Sequence, residues 1–320
     1  MRKRRTFVNR RTLKAPHTPS TMRIAERRRE AGHDQDAIYI GPFRITFGLV
    51  FFLILVAAAA VRFAGIDWGS SYYLHPDERY VTEVTAAMKW PGSLSAYFDS
   101  ATSTLNPFND PKYTSYVYGD FPLLVSKFLG TIVGDTVYGN AHTPGRWLSA
   151  ISDIGTVAMA GWASRTLFGR IAGLFTATLL AFTALMIQAA HYYTTDSMTG
   201  FFVTATMAFV VYASKKRSWA GYMVAGLMFG LAVACKPNAA ASVGFFAIPL
   251  LEQIRLRGWR SILPQSRARR AEDRFPILIA SLVAGFIALW TFRFAQPYAF
   301  LGPHWWSFKL DPRWTDNLSY

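Results

Sequence analysis

Seven apolar runs alternate with polar stretches along the chain: Ile45–Ala64, Trp147–Leu167, Ile171–Ala190, Met198–Ser214, Trp219–Cys235, Asn238–Ile254 and Phe275–Phe292. A helix needs roughly 20 apolar residues to cross a bilayer core. The first run reaches that length and several others fall slightly below it. An eighth segment, Phe121–Gly134, is apolar but short, carries Lys127 and ends near Asp135. The pattern predicts an all-α, polytopic membrane helix bundle with about seven spans. A long polar loop, residues 65–145, follows the first of them.

Charge decides how the short segment is used. Residues 1–44 hold 12 Lys+Arg against 4 Asp+Glu, in a composition rich in Pro, Ser and Thr that predicts a disordered tail. Such a tail before a first span reads as a cytoplasmic anchor, because basic loops stay inside. It is too long for a cleaved signal peptide. If Phe121–Gly134 does not span, Arg165/Arg170, Lys215–Arg217 and the seven Lys+Arg of Arg255–Arg274 join the tail inside. That places 24 of the 34 Lys+Arg on one side. If it does span, the tri-basic and seven-Arg segments face outward, against the rule. Phe121–Gly134 is therefore expected to be an interfacial or re-entrant helix in the outer loop.

The composition agrees. Of the 320 residues, 52% are hydrophobic and 17% charged, with a net charge of +15; soluble domains carry about 25% charged residues. The bunching of basic residues beside apolar blocks excludes a soluble enzyme and a nucleic-acid-binding domain of the usual kind. One cysteine, Cys235, excludes an intrachain disulfide and a Cys-based metal site.

The predicted topology sorts four polar clusters onto the outer face: His75–Glu78, His191–Asp196, Lys236–Asn238 and the end beyond Gln296. In the first, Pro76 suits the opening turn of a helix. Asp77 and Glu78 then sit at the positive end of its dipole, where carboxylates are favoured. They are either ordinary helix-start acids or a carboxylate held at the membrane surface to take a proton from a hydroxyl. Asp196 either caps the next helix or orients an acceptor, and His75, Asp77, His191 and Asp196 are weak candidates for a divalent metal. Lys236 and Arg146 either snorkel or meet a phosphate. Asp153, about two turns inside its run, either serves function or bonds to a neighbouring helix. Tyr116 and Tyr118 lie in a Tyr-dense loop, Asn106 to Pro122, whose rings stack on sugars or sit at headgroup level. No nucleotide-binding fingerprint is present.

Taken in order, these pieces resemble the glycosyltransferase-C (GT-C) superfamily, in particular its protein mannosyltransferase (family 39) and aminoarabinose lipid A transferase branch. The likeness rests on Pro76-Asp77-Glu78-Arg79-Tyr80 after the first span, Lys112 to Pro122 before a juxtamembrane helix, Tyr192 to Asp196, and Gly226 to Lys236. It covers residues 45–300, and residues 301–320 read as the start of an outer-face segment that continues beyond this chain. The resemblance implies a polyprenyl-phosphate-linked sugar as donor and a protein, lipid or polysaccharide acceptor. It also implies catalysis by Asp77 and Glu78, phosphate binding by Lys236 and Arg146, and acceptor positioning by Asp196, His191, Tyr116 and Tyr118. No cofactor is expected beyond a possible divalent metal, and no nucleic acid. A lipid-linked sugar transporter or flippase and a non-catalytic membrane scaffold are the alternatives.

The charge sorting gives a direct test. In a Cys235→Ser background, Asp77→Cys, His191→Cys and Lys236→Cys should react with a membrane-impermeant thiol reagent on intact cells, and Lys216→Cys and Arg260→Cys should not. Labelling at position 260 would overturn the seven-span topology.

Overall fold

The computed structural model describes residues 37–40, 43–69, 72–113, 116–262 and 275–318. The expectations for residues 1–36 and for most of the basic run, 263–274, lie outside the described residues. The chain divides into two units, Met1–Leu49 and Val50–Tyr320. In the first, Ala37–Ile40 (β1) pairs antiparallel with Phe43–Thr46 (β2), Ala37 opposite Thr46. This short hairpin precedes the helical unit. Both segments are rich in β-branched and aromatic residues, and Gly-Pro stands between them in the sequence.

The second unit is helical apart from an isolated bridge between Phe300 and Leu310. Its helices are α1 (Phe47–Phe63), α2 (Pro76–Ala87), α3 (Leu94–Phe98), α4 (Asp120–Val133), α5 (His142–Phe168), α6 (Arg170–Ala181), α7 (Ala184–Ala190), α8 (Thr195–Lys216), α9 (Trp219–Cys235), α10 (Gly244–Arg257), α11 (Ile277–Ala295) and α12 (Pro312–Asn317). A 3-10 turn, Pro237–Val243, leads into α10. All seven apolar runs are helical, and Phe121–Gly134 becomes the short helix α4, closed by Gly134 in the left-handed region. Among the described residues three helices are long and apolar enough to cross a membrane, or four if α6 and α7 form one bent span. By length and composition the expected seven spans are not all shown; α1 and α9 are apolar but only 17 residues long.

A buried ion pair sits at the bend. α6 and α7 meet at 59°, and Arg62 from α1 binds carbonyls in the last turn of α6. Its guanidinium donates to Ala181 O at 2.9 Å and to Leu180 O at 3.1 Å, while Nε donates to the Asp153 carboxylate at 2.5 Å. Four carbonyls at every helix end need partners, and within a bilayer water cannot supply them. Asp153 balances the charge that does so. The acid that stood out in the sequence is therefore a bond between helices.

Elsewhere α9 packs on α11 through small residues. A Cβ on Gly226 would lie 2.2 Å from Ala284 O, and one on Gly230 2.5 Å from Ala288 O. Small residues four apart let helix backbones approach this closely.

Arg62→Met should be the more damaging change at the buried pair, since it strands both the Asp153 carboxylate and the α6 carbonyls. Removing one partner of such a pair costs about 3–5 kcal/mol. Asp153→Asn keeps a hydrogen-bond acceptor and should cost less. Thermal unfolding of the purified variants in detergent measures both; equal losses would contradict the capping role of Arg62.

Candidate active site

Asp77 owes its position to the start of α2. Tyr73, in the left-handed region at φ 46, turns the chain. His75 caps the helix by accepting from the Asp77 N–H at 3.2 Å, and Pro76 fills the first helical position. His75 in turn packs against the Tyr192 ring, 5.0 Å between centroids. The Asp77 side chain is half-buried and faces a cavity of about 390 Å³ lined by Tyr80, Lys112, Tyr113, Val117 and Tyr118.

Glu78 points the other way and is fully buried. Arg146, at the start of α5, grips it with Nε at 2.7 Å and Nη2 at 2.9 Å, and the Tyr193 backbone N–H donates to the same carboxylate at 2.9 Å. The rest of the Arg146 guanidinium donates to Ile66 O and Trp68 O. Gly145 makes the arrangement possible, because a Cβ there would fall 2.1 Å from the Tyr193 ring. The Tyr193 hydroxyl bonds Thr85 at 2.9 Å. One ion pair thus ties together α2, α5, the end of the first apolar run and the 191–194 turn. Glu78 has no free oxygen for proton transfer, and Arg146 has no free face for a phosphate. The side chains expected to be catalytic and phosphate-binding are here bonded to each other.

Lys236 and Asp196 remain open. They pair at 2.7 Å with 29% and 55% of their side chains exposed. The Lys236 ammonium also lies 5.8 Å from the centre of the Tyr118 ring. Tyr118 stands near both acids: burial, with Asp77 and then Asp196 nearby, pushes its phenol up to about 12. The result is a continuous array, Asp77–Tyr118–Lys236–Asp196, contributed by α2, the loop before α4, the end of α9 and the start of α8.

Two expected members are elsewhere. Tyr116 is buried in the core under Tyr80 and Tyr118, with its hydroxyl on Gly119 O at 3.3 Å. His191 places its ring nitrogens 2.7 Å from Ile187 O and 3.0 Å from Ala64 O, joining α7 to the end of α1. Among the described residues no three His, Cys, Asp or Glu side chains gather to hold a metal.

Sequence reasoning missed Asp120, the first residue of α4. Its carboxyl is fully buried, neither oxygen has a hydrogen-bond partner of ordinary geometry, and its backbone N–H donates to the Gln296 side chain. Burial raises its pKa from 3.8 to about 8, only partly offset by the Tyr298 backbone N–H. The signal was present in the sequence as an acid pressed between Gly119 and Phe121-Pro122.

Comparison with known proteins finds similarity over part of the chain. Residues 125–265 match the dolichyl-phosphate-mannose-protein mannosyltransferase family. No curated protein matches the chain. Among solved structures, the Archaeoglobus fulgidus oligosaccharyltransferase in complex with Zn and sulfate superposes with a TM-score of 0.58 at 14% identity, over 84% of this chain and 34% of that one. The protein O-mannosyltransferase Pmt1–Pmt2 complex of S. cerevisiae, bound to the sugar donor, gives 0.59 at 14% identity, over 86% and 36%. This chain spans about a third of the length of either. It shares its fold with these two structures.

Asp120 makes stability depend on pH in a defined direction. Its pKa is higher folded than unfolded, so the folded chain binds the extra proton between about pH 4 and pH 8. Its contribution falls as pH rises through that window. Asp120→Asn keeps the shape without the charge. It should gain stability relative to wild type progressively from pH 4 to 8 in thermal unfolding, and a pH-independent difference would contradict a buried neutral acid.

Proposed function

We propose that this chain is the catalytic module of a membrane glycosyltransferase that moves a sugar from a polyprenyl-phosphate donor to an acceptor hydroxyl on the outer face, with inversion. The observation that carries the reading is the Asp77 carboxylate, open to a tyrosine-lined cavity and linked through Tyr118 to a partly exposed Lys236.

In this reading the acceptor hydroxyl lies in the cavity and gives its proton to Asp77 as its oxygen attacks the anomeric carbon. The bond from that carbon to the phosphate oxygen breaks on the opposite side. Tyr118 lies beside the carboxylate and helps hold it in place, a pre-organisation that lowers the cost of reaching the transition state. Lys236 receives the charge that develops on the departing phosphate. Its bond to Asp196 is no obstacle, because partly exposed ion pairs contribute only about 0–1 kcal/mol. The donor phosphodiester carries one negative charge, as Asp196 does, and gains a second as the sugar leaves, so its claim on Lys236 strengthens as the transition state is approached.

The donor's lipid has a place as well. An apolar groove of about 620 Å³ runs between α4, α9 and α11, walled by Phe121, Leu124, Leu227, Leu231, Trp290 and Phe294. Leu231 lies little more than one helical turn before Lys236, so a chain in the groove brings its phosphate toward that ammonium. The transporter alternative loses its main support, since Asp153 is spent on Arg62.

Asp77→Asn should fold and insert normally yet lose transfer by about 10²-fold or more, the scale of a missing general base. Lys236→Ala should chiefly weaken use of the lipid-phosphate sugar, with Lys236→Arg restoring part of it. Single-turnover transfer from a polyprenyl-phosphate sugar, in the full-length protein with levels matched by blot, measures these effects. Near-normal transfer by Asp77→Asn would remove it as the base.

A further inference from the structure

The helices that build the site end, at the far side of the bundle, around a second polar cavity. It measures about 600 Å³ and lies between the last turns of α8 and α10 and the start of α11. Lys215, Lys216, Arg217 and Arg257 line it against one acid, Glu252. α8 has 22 residues, so at 1.5 Å per residue this cavity is roughly 30 Å from Asp196.

Three features mark it as more than a solvated basic face. First, Arg217 adopts the left-handed conformation, φ 52 and ψ 48, at the position after α8 where glycine is the usual residue. A non-glycine residue held there costs of order 1–3 kcal/mol, and such strain persists where the surroundings over-determine it. Here they do: Arg217 Nη1 donates to the Gln253 side chain at 2.8 Å, and buried Gln253 donates in turn to Ser261 O at 2.5 Å. The guanidinium is thus fixed at the cavity wall. Second, Lys216 is exposed and has no partner among the described residues. Third, the cavity adjoins an apolar crevice of about 120 Å³ between α8 and α10, lined by Met207, Val210, Phe245 and Ile248. Ser214, Lys215, Pro249 and Glu252 border both spaces. Pro249, inside α10, has no N–H for the Phe245 carbonyl, a defect that bends helices.

We propose that this cavity is a headgroup site for an anionic phospholipid, with the phosphate on Lys216 and Arg217 and an acyl chain in the adjoining crevice. Among the described residues the lining carries four cations and one acid, with Lys215 also donating to Thr166 O at 2.6 Å, and the excess favours negative charge. Basic pockets between helices on the cytoplasmic side are suited to anionic headgroups, each cation contributing about 1 kcal/mol near the surface. A free phosphate would satisfy the cations but leave the crevice without purpose, so the shared wall decides for a lipid. The site is independent of the proposed transfer reaction.

The test uses the full chain in phosphatidylcholine nanodiscs with and without phosphatidylglycerol, reading thermal unfolding and lipid retained in native mass spectrometry. Phosphatidylglycerol should raise the wild-type unfolding midpoint and be retained. Lys216→Ala and Arg217→Gly should each weaken its association roughly fivefold. Arg217→Gly suits its backbone position, so the fold survives the change. Lys89→Ala, an exposed cation at the opposite end, should change nothing. Undiminished phosphatidylglycerol binding in the Lys216→Ala, Arg217→Gly double variant would overturn the proposal. So would an equal loss in Lys89→Ala, or an equal rise with inorganic phosphate at matched ionic strength.

Discussion

The geometry of the candidate site depends on the Glu78–Arg146 pair. Both groups are withdrawn from water, and neither is tolerable there alone: a buried charge that loses its partner costs several kcal/mol. The carboxylate is satisfied by two guanidinium bonds and one backbone N–H, and the guanidinium by two further carbonyls. The partners come from three separate parts of the chain besides α5: residues 66–68, α2 and Tyr193. The pair therefore behaves as an all-or-none clamp, and its neighbour Asp77 inherits a fixed position without being used as structural material itself. Two adjacent acids on one helix turn thus have opposite fates, set by which side of α2 they occupy.

A second clamp, Arg62 with Asp153, follows the same logic with a different result. Here the charge sits where one helix ends and the next starts at a new angle. Both clamps use arginine, whose planar fork meets several acceptors at once and stays charged when buried. Four ionisable residues among the apolar helices are thereby accounted for by pairing alone.

Much of this architecture was legible in the sequence because helix formation and capping are local. Trp219–Cys235 begins and ends where its apolar run does, Pro76 opens α2, and Gly134 closes α4. The polar clusters at His75–Glu78, His191–Asp196 and Lys236 do gather at one end of the bundle. What sequence does not carry is the identity of a distant partner. Nothing near Arg146 announces Glu78, 68 residues earlier, so both read as candidates for chemistry. The break in Ile171–Ala190 was hidden for the same reason, since the group that binds there is Arg62. Tyr116 and Tyr118 differ by two positions in an irregular loop, where no periodicity reports which ring turns inward.

Gly119 has a particular bearing on how such a site can diversify. Its N–H donates to Cys235 O at 2.9 Å, and a Cβ on it would overlap Ala234 O at 1.8 Å. Two main chains therefore touch directly, with Tyr118 attached to one side of the contact and Lys236 to the other. The gap between those two side chains is set by peptide thickness and is out of reach of any side-chain substitution. Selection for bulkier or slimmer substrates must then act on the other residues of the cavity lining, where Tyr80, Lys112, Tyr113 and Val117 can be exchanged one at a time. The backbone sets one spacing of the site, and side chains set the rest.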